Sequence, residues 1–464
     1  MVNKISGREL KVPAKASLWY TASAALAKGA GLLFTPVFTR VMTAYEYGRY
    51  TLYITALALM SVVCTSGVTG SGMYKGLSEF GDERRGFTSS AVGLSLCSVP
   101  LVCLIAFLAR GALGISGWLI PLLFVQLVFD IGVAAMCAEL KYSYSYGKAA
   151  VVNAVSALLA PLLSLLIMGI IKGAFARMLG LLFVSGAVAV PFLIRCARDG
   201  FFSRDGWLFS LKYSLPLLPG ALAASVIAQA DKLTVSAIMG SEALAPYAVA
   251  HSIGVGLTFV TVSLGSALHP WIIRKLKAGA WDKVGETVSR IYVTLGALTV
   301  ILTALAPEAL SLLTPESYSV ALPAVLPIAL STLPSFLLSV GTVVGVYDGR
   351  SYLSSVALGA GAAVNIAANL FLVPRISYIG AGLSLLLSYA VAAAVIYLIP
   401  AGRRVAREIG VGGIMKTTAL TGATSLLAAA FYGSLPARLL ILALPVGALI
   451  FSAFGMKEDV MESY

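Results

Sequence analysis

The chain has 464 residues, of which 59% are hydrophobic and only 11% charged, and its mean hydropathy is +0.92. That balance excludes a soluble globular protein and identifies an all-α polytopic membrane protein. The formal net charge of +13 does not indicate nucleic-acid binding, because the basic residues sit in short clusters between apolar runs and form no single patch.

In chain order, the first segment carries Lys4, Arg8, Lys11 and Lys15 and reads as a basic amphipathic lead-in on the cytoplasmic surface. The apolar run behind it is too long for a cleavable signal and reads as a retained signal-anchor. Ser17 to Tyr50 is the first long apolar stretch, and Lys28 lies near the middle of its first helix, about 15–39. At about 100° per residue, Ser17, Thr21, Lys28, Thr35 and Thr39 share one narrow face. A charge at mid-membrane costs about 2.5–3.5 kcal/mol, so Lys28 is expected to face a cavity or a partner group. Arg40, Glu46 and Arg49 mark an outer turn. The second span, about 47–73, ends in a Gly/Ser-rich segment that permits close packing or a break. Spans follow at about 87–109, 118–139, 149–171 and 174–194, then a basic, aromatic-rich segment that reads as an interfacial helix. The remaining spans fall at about 214–239, 244–270, 288–313, 319–347, 352–373, 379–400, 414–433 and 436–455.

These make about fourteen transmembrane helices, and charge supports the count: inner segments hold 24 of the 33 Lys and Arg, outer turns 7 and spans 2. Both termini are thus expected on the cytoplasmic side of the cytoplasmic (inner) membrane. A weak repeat aligns Ser17–Tyr20 with Ser210–Tyr213, and Met42 and Tyr50 with Met239 and Tyr247. It divides the chain into six-helix lobes at 1–200 and 201–400, with two further helices and a tail at 401–464. A site between the lobes is the pattern of transporters built from parallel repeats.

The seventh helix repeats the logic of the first. Ser214, Ser225, Gln229, Lys232 and Ser236 cluster on one face, and Asp231 points about 100° away. Asp231 and Lys232 either line a cavity or form an internal ion pair with neighbours. Asp130, one turn after Gln126, is either a carrier of a coupling ion or the counter-ion of Lys28 or Lys232. Asn153, and Asn365 with Asn369, read as inter-helix hydrogen-bonding groups. His251 reads as packed or cavity-lining and His269 as interfacial. The five cysteines (Cys64, Cys97, Cys103, Cys137, Cys196) lack metal spacing, no disulfide or metal site is expected, and no ATP-binding motif occurs.

Lys28-Gly29, Pro36, Thr39-Arg40 and Glu46-Tyr47-Gly48-x-Tyr50, followed by Leu215-Pro216, Asp231-Lys232 and Tyr247-Ala248, resemble polysaccharide-export flippases of the Wzx type. These belong to the multidrug/oligosaccharidyl-lipid/polysaccharide exporter superfamily. Pro246 departs from the pattern, which has Gly before the Tyr. The resemblance implies two lobes around a V-shaped central cavity and translocation of a polyprenyl-diphosphate-linked oligosaccharide to the outer leaflet. In such a cavity Lys28 and Lys232 would meet phosphates, while Thr21, Thr35, Ser225, Gln229 and Ser236 would meet sugar hydroxyls. Arg40 and Arg49 would receive the head group near the outer mouth. Expected partners are the lipid-linked glycan, membrane lipids, a coupling H+ or Na+, and glycan polymerase machinery. A drug or cation antiporter would favour a carboxylate-dominated pocket and twelve spans. A lipid II flippase shares the fourteen spans and the cationic cavity. A membrane glycan polymerase or ligase needs a large outer loop, which this chain lacks.

Overall fold

The computed structural model describes residues 29–398, 400–443 and 445–447. All regular elements among the described residues are helical. The first span is described only over 29–41 (α1), so Ser17, Thr21 and Lys28 lie outside the described residues. Next come α2 (Ala44–Thr65), α3 (Gly70–Glu79), α4 (Arg84–Leu108), the single turn α5 (Arg110–Leu113), α6 (Leu119–Tyr142), α7 (Tyr146–Met168), α8 (Ala174–Asp199) and α9 (Arg204–Ser214). The chain continues through α10 (Leu218–Met239), α11 (Ser241–Gly254), α12 (Thr258–Lys277), α13 (Trp281–Ala304), α14 (Ala306–Leu313), α15 (Val325–Leu330) and α16 (Thr332–Tyr347). It ends in α17 (Tyr352–Leu398), α18 (Pro400–Ile409), α19 (Val411–Ala430) and α20 (Leu435–Ile441). Among the described residues, 10 helices are long and apolar enough to cross a membrane. One of them, α17, is two helices joined across a kink at Ile376 and Ser377.

Several expected spans are interrupted, each for a local reason. The second stops at Thr65. There Ser61, Thr65, Ser66 and Thr69 all donate their hydroxyls to carbonyls three or four residues back, which bends helices, and Gly70 takes a φ of +79°. The ninth breaks at Leu305 because Pro307 has no N–H to continue the ladder. Prolines 315, 323, 327 and 334 divide the tenth into a 3₁₀ segment, α15 and α16. A 3₁₀ turn at Val255–Leu257 splits the eighth into α11 and α12.

The chain forms two compact units, Met1–Ser225 and Val226–Tyr464. In the first, Leu123, Leu127, Ile131 and Ala135 form a fully buried stripe at four-residue spacing along α6. Lipid tails are as apolar as leucine, so such helices associate through close packing at small residues. Gly180 on α8 illustrates this: a Cβ there would stand 2.7 Å from the backbone nitrogen of Ser164 on α7. Gly180→Ala is therefore expected to destabilise the protein by about 1–3 kcal/mol, read as a lowered midpoint of thermal unfolding in detergent. Phe209 of α9 meets Phe80 and Phe87 edge-on, which ties the expected interfacial helix to α3 and α4.

In the second unit, Val284, Val288, Ile291 and Leu295 of α13 share a core with Leu333, Phe336 and Val340 of α16 and Ile396 of α17. The two halves of α17 are joined by a polar ladder. Asn365 donates to Ser388 Oγ at 2.8 Å, and Asn369 donates to Asn365 Oδ1 at 3.0 Å. This is the inter-helix bonding expected of that asparagine pair.

Candidate intramembrane site

Gly240, at φ +90°, reverses the chain between α10 and α11, so residues at similar distances on either side of it are brought face to face. Asp231 of α10 and Tyr247 of α11 meet in this way. The Asp231 side chain is completely buried, and the Tyr247 hydroxyl donates to its Oδ2 at 2.6 Å. Oδ1 accepts from the backbone N–H of Lys232 at 2.8 Å. His251 Nε2, one turn beyond Tyr247, stands 3.3 Å from Oδ2 but makes no aligned hydrogen bond. The Tyr378 ring lies parallel to Tyr247, 6.3 Å between centroids.

The Lys232 ammonium curls back along its own helix. It donates to the carbonyl of Ala228 at 2.9 Å and to Gln229 Oε1 at 3.2 Å, and stands 3.9 Å from Asp231 Oδ1. The Lys232 stripe thus contains Gln229 as expected. Asp231 serves as the carboxylate of the cation beside it and also binds the facing helix. Ser225 is half-buried, and Ser236 is buried with its hydroxyl unpartnered. Carboxylate, ammonium, phenol and imidazole thus converge where the surrounding helices are apolar. A proton or small cation arriving at Asp231 would shift the balance among its neighbours, because an intramembrane charge is costly unless matched.

The first unit holds a second carboxylate within a membrane-length helix, the half-buried Asp130 of α6. Gln126 Nε2 donates to Asp130 Oδ1 at 2.8 Å and to Ser185 Oγ at 2.9 Å, linking α6 to α8. The Gln126 carbonyl oxygen and the Tyr53 hydroxyl are buried without partners. Among the described residues, no Lys, Arg or His lies within ion-pair distance of Asp130. Thr35 spends its hydroxyl on the carbonyl of Gly31 at 2.8 Å. Asn153 accepts from Cys137 Sγ at 3.9 Å, between α6 and α7.

At the end of this unit that carries α1 and α2, Glu46 and Thr43 form a capping box, which fixes the start of α2. Arg49 lies over the rings of Trp118 (4.6 Å) and Tyr45 (5.4 Å), and donates to Ser116 at 3.5 Å. Arg40 is exposed and donates to the carbonyl of Pro36 at 3.0 Å. Arg177 is gripped between Phe38 and Tyr50, each 3.9 Å from its guanidinium carbon. The sequence marks Arg177 only as a flanking charge; its aromatic partners come from α1 and α2, far away in the chain.

Helices of membrane length that carry fixed charges in their interiors define a multi-pass membrane protein, and the fold is that of membrane transporters. The chain is similar to lipid II flippase MurJ in an inward closed conformation, with a TM-score of 0.69 and 13% identity over 96% of this chain and 99% of that one. It is also similar to an inward-facing multidrug resistance MATE family transporter of the MOP superfamily (TM-score 0.56, 14% identity, 86% and 95% covered). A mutant Vibrio cholerae MATE transporter gives a TM-score of 0.55 at 14% identity, with 85% and 97% covered. No curated protein matches. Residues 14–276, more than half the chain, match the family model described as polysaccharide biosynthesis protein, and the chain belongs to that family. The resemblance read from Lys28-Gly29 through Tyr247-Ala248 holds.

Proposed function

We propose that the protein moves a polyprenyl-diphosphate-linked oligosaccharide from the cytoplasmic to the outer leaflet of the inner membrane by alternating access, driven by an ion gradient. The observation that carries this reading is the buried Asp231–Lys232–Tyr247–His251 cluster in a chain of the polysaccharide biosynthesis family. A diphosphate cannot cross hydrocarbon unaided and needs a cation held at membrane depth. Lys232 supplies one, and its stem, loosely pinned to Ala228 and Gln229, can exchange those oxygens for phosphate. Lys28, outside the described residues, is the matching cation of the first helix. Asp231 and Asp130 are the ion-coupling groups, and Arg40, Arg49, Thr21, Thr35, Ser225 and Gln229 contribute polar contacts to the head group. Both termini are cytoplasmic.

Lys232→Ala and Lys28→Ala are each expected to abolish glycan export while membrane abundance is unchanged. Normal export by both variants contradicts the reading. Assay of the wild-type protein with lipid II beside a polyprenyl-diphosphate glycan separates the two cargo classes.

A further inference from the structure

A cleft that the intramembrane site does not use lies between α3, the start of α4 and the turn from α6 into α7. Its volume is about 820 Å³, and it is lined by Tyr74, Tyr142, Tyr144 and Tyr146, with Arg84 and Lys141 between them. That size falls within the ~300–1,000 Å³ of small-molecule sites. Among the described residues that line it there is no carboxylate. The cleft lies at the end of the first unit that carries the basic segments 75–85 and 141–148, the inner end by charge bias.

The backbone here is set at a steric cost. α6 ends in a Schellman turn: Tyr144 N–H donates to the carbonyl of Lys141 at 3.1 Å and Ser145 N–H to that of Leu140 at 2.8 Å. The residue at the turn must adopt a left-handed conformation, for which glycine is the usual choice. This chain places Tyr144 there at φ +55°, with 73% of the residue exposed. Its ring meets Tyr146 at 80° and 6.0 Å, so two aromatic walls stand at a right angle beside the cations. A bulky residue in a glycine position, with its ring out in solvent, gains too little from packing to explain its presence.

Flat aromatic faces pack against the C–H faces of sugar rings while phenol groups bond their hydroxyls, and Arg and Lys bind phosphate. We infer that this cleft binds the sugar-phosphate head of the cargo on the cytoplasmic side before it enters the membrane-spanning part of the protein, with Tyr144 as the stacking platform and Arg84 and Lys141 as the phosphate contacts. The inference rests on the flippase reading for its cargo, but the binding step is measurable without transport.

The test uses the purified full-length protein and follows binding of N-acetylglucosamine 1-phosphate, N-acetylglucosamine and inorganic phosphate by calorimetry, with phosphatidylglycerol vesicles as competitor. The sugar phosphate is expected to bind more tightly than either fragment. Tyr144→Gly should weaken it about tenfold or more while the unfolding midpoint stays level or rises, because glycine relieves the positive φ. Arg84→Ala with Lys141→Ala should weaken the sugar phosphate and phosphate but not the sugar. Unchanged affinity in Tyr144→Gly overturns the inference, as does equal competition by phosphatidylglycerol, which would mark a lipid head-group site. Tyr144-dependent binding by a protein that moves no glycan supports the cleft and removes the flippase reading.

Discussion

Asp231→Asn is expected to reduce transport to background while the protein still accumulates in the membrane. Asparagine has the shape of aspartate and keeps an oxygen for the Tyr247 hydroxyl or the Lys232 N–H, so the hydrogen bonds between α10 and α11 persist in part. What is lost is the negative charge beside a buried ammonium and an imidazole. Removing one partner of a buried pair costs about 3–5 kcal/mol, but the Lys232 side chain is 12% exposed and keeps Ala228 and Gln229 as acceptors. The expected loss of stability is therefore smaller, about 1–3 kcal/mol. Tyr247→Phe separates the two contributions. It leaves the charge and deletes one hydrogen bond to a carboxylate, about 1.5–3 kcal/mol of stability, and it should lower transport less than Asp231→Asn. Parallel measurement of transport in vesicles and of unfolding midpoints in detergent checks both variants. Full transport by Asp231→Asn excludes a coupling role for this carboxylate.

Arg438→Ala is expected to be the most destabilising single change in the last part of the chain. The Arg438 side chain is 4% exposed, and its guanidinium forks onto both carboxylate oxygens of Glu308, at 2.6 and 2.7 Å, and also donates to the carbonyl of Ala304. It closes the end of α13, where Leu305 interrupts the helix, and fastens α20 to α14. Alanine leaves the carbonyl without this donor and removes the fastening. Glu308 is 44% exposed and can recover water, so the expected cost is about 2–4 kcal/mol and not the full value of a buried pair. Arg438→Lys keeps the charge without the fork and should recover only part of the loss. The hydrogen bonds from Arg438 hold the Glu308 carboxyl below its ordinary value of 4.5. A depressed carboxylate contributes stability that is present above the ordinary value and is lost as pH falls through the folded one. The wild-type unfolding midpoint should thus drop on acidification more steeply than that of Arg438→Ala. Parallel acid limbs in the two proteins contradict this assignment.

Helix type was legible because long apolar runs with basic inner loops leave few alternatives, and the breaks fell where prolines and clustered hydroxyls gather. Periodicity also placed Gln229 beside Lys232, since both lie on one helix three residues apart. It put Asp231 on a different face but could not show what that face meets, because Tyr247 and His251 reach Asp231 only after the reversal at Gly240. Arg177 was unreadable for the same reason: its cage is built from α1 and α2. The run Lys141-Tyr-Ser-Tyr-Ser-Tyr146 offered a signal that charge counting passed over. Three tyrosines in an inner turn are more than a solvated loop needs.

The most direct measurement is translocation of a fluorescent polyprenyl-diphosphate oligosaccharide in proteoliposomes under an imposed proton or sodium gradient. Wild-type protein is expected to move it to the far leaflet faster than protein-free vesicles, with the rate falling when the gradient is collapsed and vanishing in Lys232→Ala. A wild-type rate equal to that of empty vesicles, or a Lys232→Ala rate equal to wild type, contradicts a cation held inside the membrane for a phosphate-bearing lipid.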